Sequence, residues 1–194
     1  MAVYTEIADD DLATFAAQYD IGRVVSCKGI AEGVENSNYL LQTDRGSYIL
    51  TLYERRVRAD DLPFFLGLMD HLTAKGIACP TPIHGRDGAA LRQLSGRPAA
   101  VVSFLRGIWP KRPGPQHCAQ VGGALARLHL AGIDFPLRRR NDWSVEGWSK
   151  LFEACRGRAD TVRKGLAGEL ERELDSLQAA WPEALPAGVI HADL

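Results

Sequence analysis

Val189-Ile190-His191-Ala192-Asp193-Leu194 is the stretch whose residue types and spacing come nearest to chemistry. An apolar run leads into a histidine, a spacer and an aspartate. That pattern sets a carboxylate at the end of a short expected strand, where it can act on a substrate hydroxyl. The plain alternative is a chain end that happens to carry one Asp. The second candidate is Gly29 to Asn38, Gly-Ile-Ala-Glu-Gly-Val-Glu-Asn-Ser-Asn. A glycine-bearing turn between paired strands can offer backbone N–H groups to phosphates. Asn36, Ser37 and Asn38 add polar side chains at the same place. A simple hairpin loop uses the same residues, so this stretch by itself leaves both readings open. Arg138-Arg139-Arg140 fits a phosphate patch less well than a solvated loop, because the chain is close to neutral overall. His129 shares a helical face with Leu125 and Leu128 and reads as a core histidine. His71, His84 and His117 have no metal-ligand spacing. Cys27, Cys79, Cys118 and Cys155 form no CxxC pair, so neither a zinc knuckle nor a redox motif is indicated. They read as buried free thiols in a reducing cytosol.

These groups need elements to position them. Asp9 to Tyr19 carries Leu12, Phe15, Ala16 and Tyr19 on one helical face behind three aspartates, which suit a helix N-terminus. Three strands follow: Val24–Cys27, Asn38–Thr43 and Ser47–Tyr53, the last two joined by an Asp44-Arg45-Gly46 turn. Asp60 or Asp61 starts a helix with Pro63 in its first turn, and Gly76 ends it. Leu91–Leu94 and Ala99–Leu105 are two further strands around Ser95-Gly96-Arg97-Pro98. Pro110, Pro113 and Pro115 then mark a linker. Helical patterns follow over 116–131, 144–156 and 160–180, and Gly188 leads into a terminal strand. The expected fold is therefore α+β in two lobes. Residues 1–105 form an antiparallel sheet with one long helix, and residues 106–194 form a mainly helical, incomplete lobe. A cleft between two such lobes is a common ligand site. A formal net charge of -1 argues against nucleic-acid or membrane-surface binding through bulk charge. No basic, apolar leader opens the chain and no apolar run reaches membrane-spanning length, so a cytoplasmic location is expected.

A sheet lobe, a Gly-bearing loop, a hinge, a helical lobe and His-x-Asp-Leu together resemble the two-lobed protein-kinase-like fold. More narrowly, they resemble the aminoglycoside-phosphotransferase-like small-molecule kinases. Gly33-Val34-Glu35-Asn36-Ser37-Asn38-Tyr39, then Tyr48-Ile49-Leu50-Thr51-Leu52-Tyr53-Glu54, is similar to the homoserine kinases of that fold. Leu62–Pro82 and Leu125-Ala126-Arg127-Leu128-His129 fit as well. The resemblance implies ATP and Mg2+ as cofactors and L-homoserine as the small-molecule partner, with other small alcohols (an aminoglycoside, choline or a sugar) or nucleotide binding without catalysis as alternatives. It implies Asp193 as the group that takes the hydroxyl proton, with His191 bracing the loop. It assigns Gly33, Asn36, Ser37, Asn38 and Thr51 to the nucleotide. It also assigns the hinge Ser103-Phe104-Leu105, through the Ser103 carbonyl and the Leu105 N–H. Thr51 stands where most kinases of the broad fold carry a phosphate-pairing lysine, and Phe65 stands near its glutamate partner. Both members of that ion pair are absent together, and Lys28, Arg55 and Arg56 are the candidate replacement cations. Family members continue past the His-x-Asp motif, and the metal ligands are expected beyond Leu194. The 194-residue polypeptide is accordingly expected to be catalytically inactive, with an exposed apolar patch on its helical part.

Overall fold

Alternation builds the first unit. Successive side chains in a strand point to opposite faces, so residues paired across an antiparallel sheet form columns. β1 (Val24–Gly29), β2 (Ser37–Thr43), β3 (Ser47–Leu52), β4 (Leu91–Leu94) and β5 (Arg97–Ser103) form one antiparallel sheet in the order β1-β2-β3-β5-β4. The register pairs Tyr39 with Leu50 and Leu50 with Val101, and pairs Ser37 with Leu52 and Leu52 with Ala99. All of these residues are buried on the face covered by α1 (Asp9–Ala16), through Leu12, Phe15 and the following Tyr19. The opposite face carries Asn38, Thr51 and Ala100 in one column and Lys28, Leu40, Ile49 and Val102 in the next. The coordinates are a computed structural model, which describes residues 3–31, 35–54, 58–108, 110–141 and 143–191.

A single 3-10 turn, Ala59–Asp61, leads into α2 (Leu62–Ala74), which ends where Gly76 takes φ +77°. α2 is fastened on two sides. Phe64 and His71 pack on Phe135, which is 2% exposed, with ring centroids 5.3 Å apart in each case. His71 Nε2 lies 2.9 Å from the Ala131 carbonyl, and Lys75 Nζ lies 2.5 Å from Asp134 Oδ2. On the other side His84 bridges the Gly88 carbonyl and Asp70. α3 (Pro115–Ala131) therefore ends in a loop, residues 132–135, that holds α2.

One compact unit comprises residues 1–137 and 188–194, and a second comprises residues 138–187. The second unit is a helical hairpin of α4 (Val145–Val162) and α5 (Leu166–Ala179). Phe152 and Ala159 are buried within it, Arg156 pairs with Glu171 at 2.5 Å, and Trp148 meets Trp181 edge to face. No helix among the described residues is long and apolar enough to cross a membrane.

The sheet-plus-helices architecture is the α+β fold expected, with differences in detail. α1 stops at Ala16 and Tyr19 follows it in a turn. Lys28, Gly29 and Ser37 belong to strands rather than to the connection, because the β1–β2 ladder continues up to Gly29 opposite Tyr39. α4 runs on to Val162, and the break falls at Arg163–Gly165, where Gly165 at φ +82° allows the reversal. Val189 and Ile190 are not in a strand, since no neighbouring strand among the described residues offers them a backbone ladder. The cysteines are free but not buried, and Cys118 and Cys155 are exposed on helices.

Candidate active site

Three consecutive polar residues, Asn36-Ser37-Asn38, divide their roles by strand parity. Asn38 lies on the sheet face away from α1, directly across from Thr51. The Thr51 hydroxyl donates to Asn38 Oδ1 at 2.8 Å, which fixes the amide so that its NH₂ group points away from that bond. Ala100, fully buried, completes the column. Lys28 is exposed on this same face, one column away.

Ser37 faces the other way and is fully buried. Its hydroxyl accepts the Tyr4 N–H at 2.8 Å and the Thr5 N–H at 3.2 Å, and donates to Glu54 Oε1 at 2.7 Å. A hydroxyl has one proton and two lone pairs, so this side chain is saturated. It has no hydrogen-bonding capacity left for a ligand. Glu54, 9% exposed, pairs through Oε2 with Arg97 Nε at 3.1 Å, and its own N–H donates to Asn36 Oδ1 at 3.3 Å. Neither Glu54 nor Arg97 was assigned a role from sequence. The one available signal was a lone acidic residue closing an aromatic and β-branched strand.

The hinge residues sit at the end of β5. Ser103 is tied reciprocally to Thr81, with the Ser103 N–H donating to the Thr81 carbonyl at 2.8 Å and the Ser103 hydroxyl accepting the Thr81 N–H at 2.9 Å. Ile83 N–H to Val101 O, at 2.8 Å, continues this pairing. The chain leaves the sheet after Ser103, and Phe104 and Leu105 are exposed. Among the described residues the Leu105 N–H meets no protein acceptor.

Gly33 and Asp193 lie outside the described residues, as do Arg55 and Arg56. His191 is described and exposed. The segment leading to it is seated on the end of α3: a Cβ added to Gly132 would meet Val189 Cβ at 3.1 Å and the Leu128 carbonyl at 3.3 Å. Gly132 thus permits the close approach of Val189. His129, one turn earlier, has its Nε2 buried with no partner among the described residues. No group of three or more His, Cys, Asp or Glu side chains among the described residues could hold a metal ion. The described side chains thus do not provide a magnesium site.

A five-stranded antiparallel sheet, a glycine-bearing connection at one end, an exposed hinge after β5 and helices beyond it define a kinase-like fold. The profile of the phosphotransferase enzyme family matches residues 26–194, and the chain belongs to that family. It is 66% identical over its whole length to a homoserine kinase of Paramagnetospirillum magneticum and to one of Rhodospirillum rubrum, and 59% identical to one of Rhizobium etli. It spans 60% of the length of each of these relatives. Among solved structures, a spectinomycin phosphotransferase in complex with ADP and spectinomycin superposes with a TM-score of 0.66 at 16% identity, covering 94% of this chain and 60% of that one. A microcompartment-associated aminopropanol kinase superposes with a TM-score of 0.56 at 17% identity, covering 86% and 57%. At these identities the structures establish the fold alone.

Proposed function

We propose that the chain is the N-terminal part of an ATP-dependent homoserine kinase, which transfers the γ-phosphoryl group of ATP to the side-chain hydroxyl of L-homoserine. The product, O-phospho-L-homoserine, serves threonine biosynthesis, and the enzyme works in the cytoplasm. The observation that carries this is 66% identity, over every residue of the chain, to proteins named homoserine kinase.

The geometry supports a nucleotide on the Asn38–Thr51 face. The adenine edge would bond the Leu105 N–H and the Ser103 carbonyl at the hinge, with Phe104 between them. The phosphates would approach the Asn38 amide NH₂, whose orientation the Thr51 bond sets. Among the described residues Lys28 is a cation exposed on that face, and in this role it would replace the missing strand lysine. Asp193 accepts the hydrogen bond and then the proton of the homoserine hydroxyl as the phosphoryl group moves, and His191 braces the loop. Mg2+ would neutralise charge on the β- and γ-phosphates, held by residues other than the described side chains.

Coupled ADP detection on the full-length protein with a panel of homoserine, aminoglycosides, choline and sugars tests this reading. Turnover is expected with homoserine, reduced about 10³-fold by Asp193→Asn. Turnover with another alcohol, and none with homoserine, would assign the fold to a different substrate. ATP binding without turnover of any substrate would make the protein a nucleotide-binding module.

A further inference from the structure

Ahead of α1 the chain alternates, with Val3, Thr5 and Ile7 half-buried and Tyr4 and Glu6 exposed. It joins no ladder, yet it is bonded at several points. The Tyr4 and Thr5 N–H groups both donate to the buried Ser37 hydroxyl. The Tyr39 hydroxyl donates to the Thr5 carbonyl at 2.5 Å. Val3 crosses the end of β1, where a Cβ on Gly29 would meet Val3 Cγ2 at 2.7 Å. Glycine at that position is what lets the segment lie flat on the strand. Gly29 ends β1 and Ser37 starts β2, and Ile30 N–H to Asn38 O, at 2.8 Å, joins the two. The same few residues therefore rest on both stems of the β1–β2 connection. The segment is thus tied at the base of the proposed nucleotide site.

We infer that residues 3–5 are a positioning strap for nucleotide binding. The strap acts through Ser37 and Tyr39, and this inference rests on the nucleotide reading given above. Ser37 is the strap's receptor and not a nucleotide ligand. Its neighbours in sequence, Asn36 and Asn38, carry the amides. Asn36 is set by the Glu54 N–H, and Asn38 by Thr51 on the opposite face. Ser37 and Asn38 are consecutive residues of one strand, so a displacement of the Ser37 backbone moves the Asn38 amide with it. In the nucleotide reading given above only ATP meets this part of the sheet, so the strap would affect one substrate and not the other.

The test uses the full-length protein in two forms, one starting at Glu6 behind an initiator methionine and the other Tyr39→Phe. ATP affinity is read by direct titration and by KM, alongside the homoserine KM and the melting temperature. ATP binding is expected to weaken about tenfold in the truncated protein and about threefold in Tyr39→Phe, with the homoserine KM within about twofold of wild type. Unchanged ATP affinity would overturn the inference. So would a parallel rise of both KM values, the signature of general loosening. If the truncated protein does not fold, Tyr39→Phe decides by the same criteria, since it removes one bond and keeps the ring in the core. If the wild-type protein binds ATP but leaves homoserine untouched, the homoserine reading fails. The titration still tests the strap.

Discussion

Glu54 is the residue with most at stake in the sheet. It stands nearly buried between the Ser37 hydroxyl and the Arg97 guanidinium. Removing Glu54 leaves the buried Ser37 hydroxyl without its acceptor, while Arg97, 29% exposed, keeps part of its hydration. Glu54→Ala is expected to lower stability by about 2 kcal/mol, measured by urea unfolding, with Glu54→Gln losing less because it keeps an acceptor for Ser37. An unchanged unfolding midpoint in Glu54→Ala would remove the basis for that network. His84 provides a pH dependence of definite sign. Its Nδ1 meets the Gly88 carbonyl and its Nε2 meets the Asp70 carboxylate. The Gly88 contact first, and then Asp70, raise its pKa above 6.5. The raised value belongs to the folded state, so the contribution is complete below pH 6.5 and is lost as pH rises through that higher value. The difference in melting temperature between wild type and His84→Gln is expected to shrink as pH is raised through that window. A difference that stays constant with pH would show that His84 acts by packing alone.

At the scale of elements, the loop after α3 organises two things together. Phe135 and Asp134 hold α2, and Gly132 receives Val189 of the segment that leads to His191. A side chain at Gly132 pushes Val189 away while leaving the Asn38–Thr51 face alone. Gly132→Val is therefore expected to lower kcat about tenfold in the full-length protein with the ATP KM unchanged, because the proton acceptance proposed for Asp193 would depend on where that segment lies. Equal effects on kcat and on the ATP KM would show that the loop transmits to the whole site. The strands and α2 were legible because period-two and period-3.6 patterns are local, and Asp44-Arg45-Gly46 and Gly76 mark their ends. The α4–α5 break was misplaced because the apolar pattern runs smoothly past Val162 and only the left-handed Gly165 interrupts it. The division of labour within Asn36-Ser37-Asn38 was not legible. Three polar residues in a row look alike until the register decides which faces the core. The strap was not legible either, since its partners Ser37 and Tyr39 lie far along the chain and nothing local in residues 3–5 points to them.

For the molecule as a whole, the surface of the helices carries the argument. α3 has no fully buried residue, and Val121 and Leu130 on it are 47% and 67% exposed. The α4–α5 hairpin buries only Gly147, Phe152 and Ala159 on α4 and leaves Trp143 at its start and Val162 at its turn 76% and 80% exposed. Helices in water draw most of their stability from packing an apolar face, so helices with this pattern are short of partners. The relatives named homoserine kinase are longer than this chain, which spans 60% of their length. A polypeptide of these 194 residues alone is therefore expected to bind a hydrophobic dye strongly, to self-associate, and to release no ADP in the presence of ATP and homoserine. The full-length protein is expected to bind the dye weakly and to turn homoserine over. Dye fluorescence, light scattering and coupled ADP detection on the two proteins side by side decide the matter. A monomeric, dye-silent 194-residue polypeptide would mean that α3 and the hairpin need no further cover. One that also phosphorylates homoserine would place the whole catalytic apparatus within these residues, contrary to the absence of a magnesium-binding cluster among the described side chains.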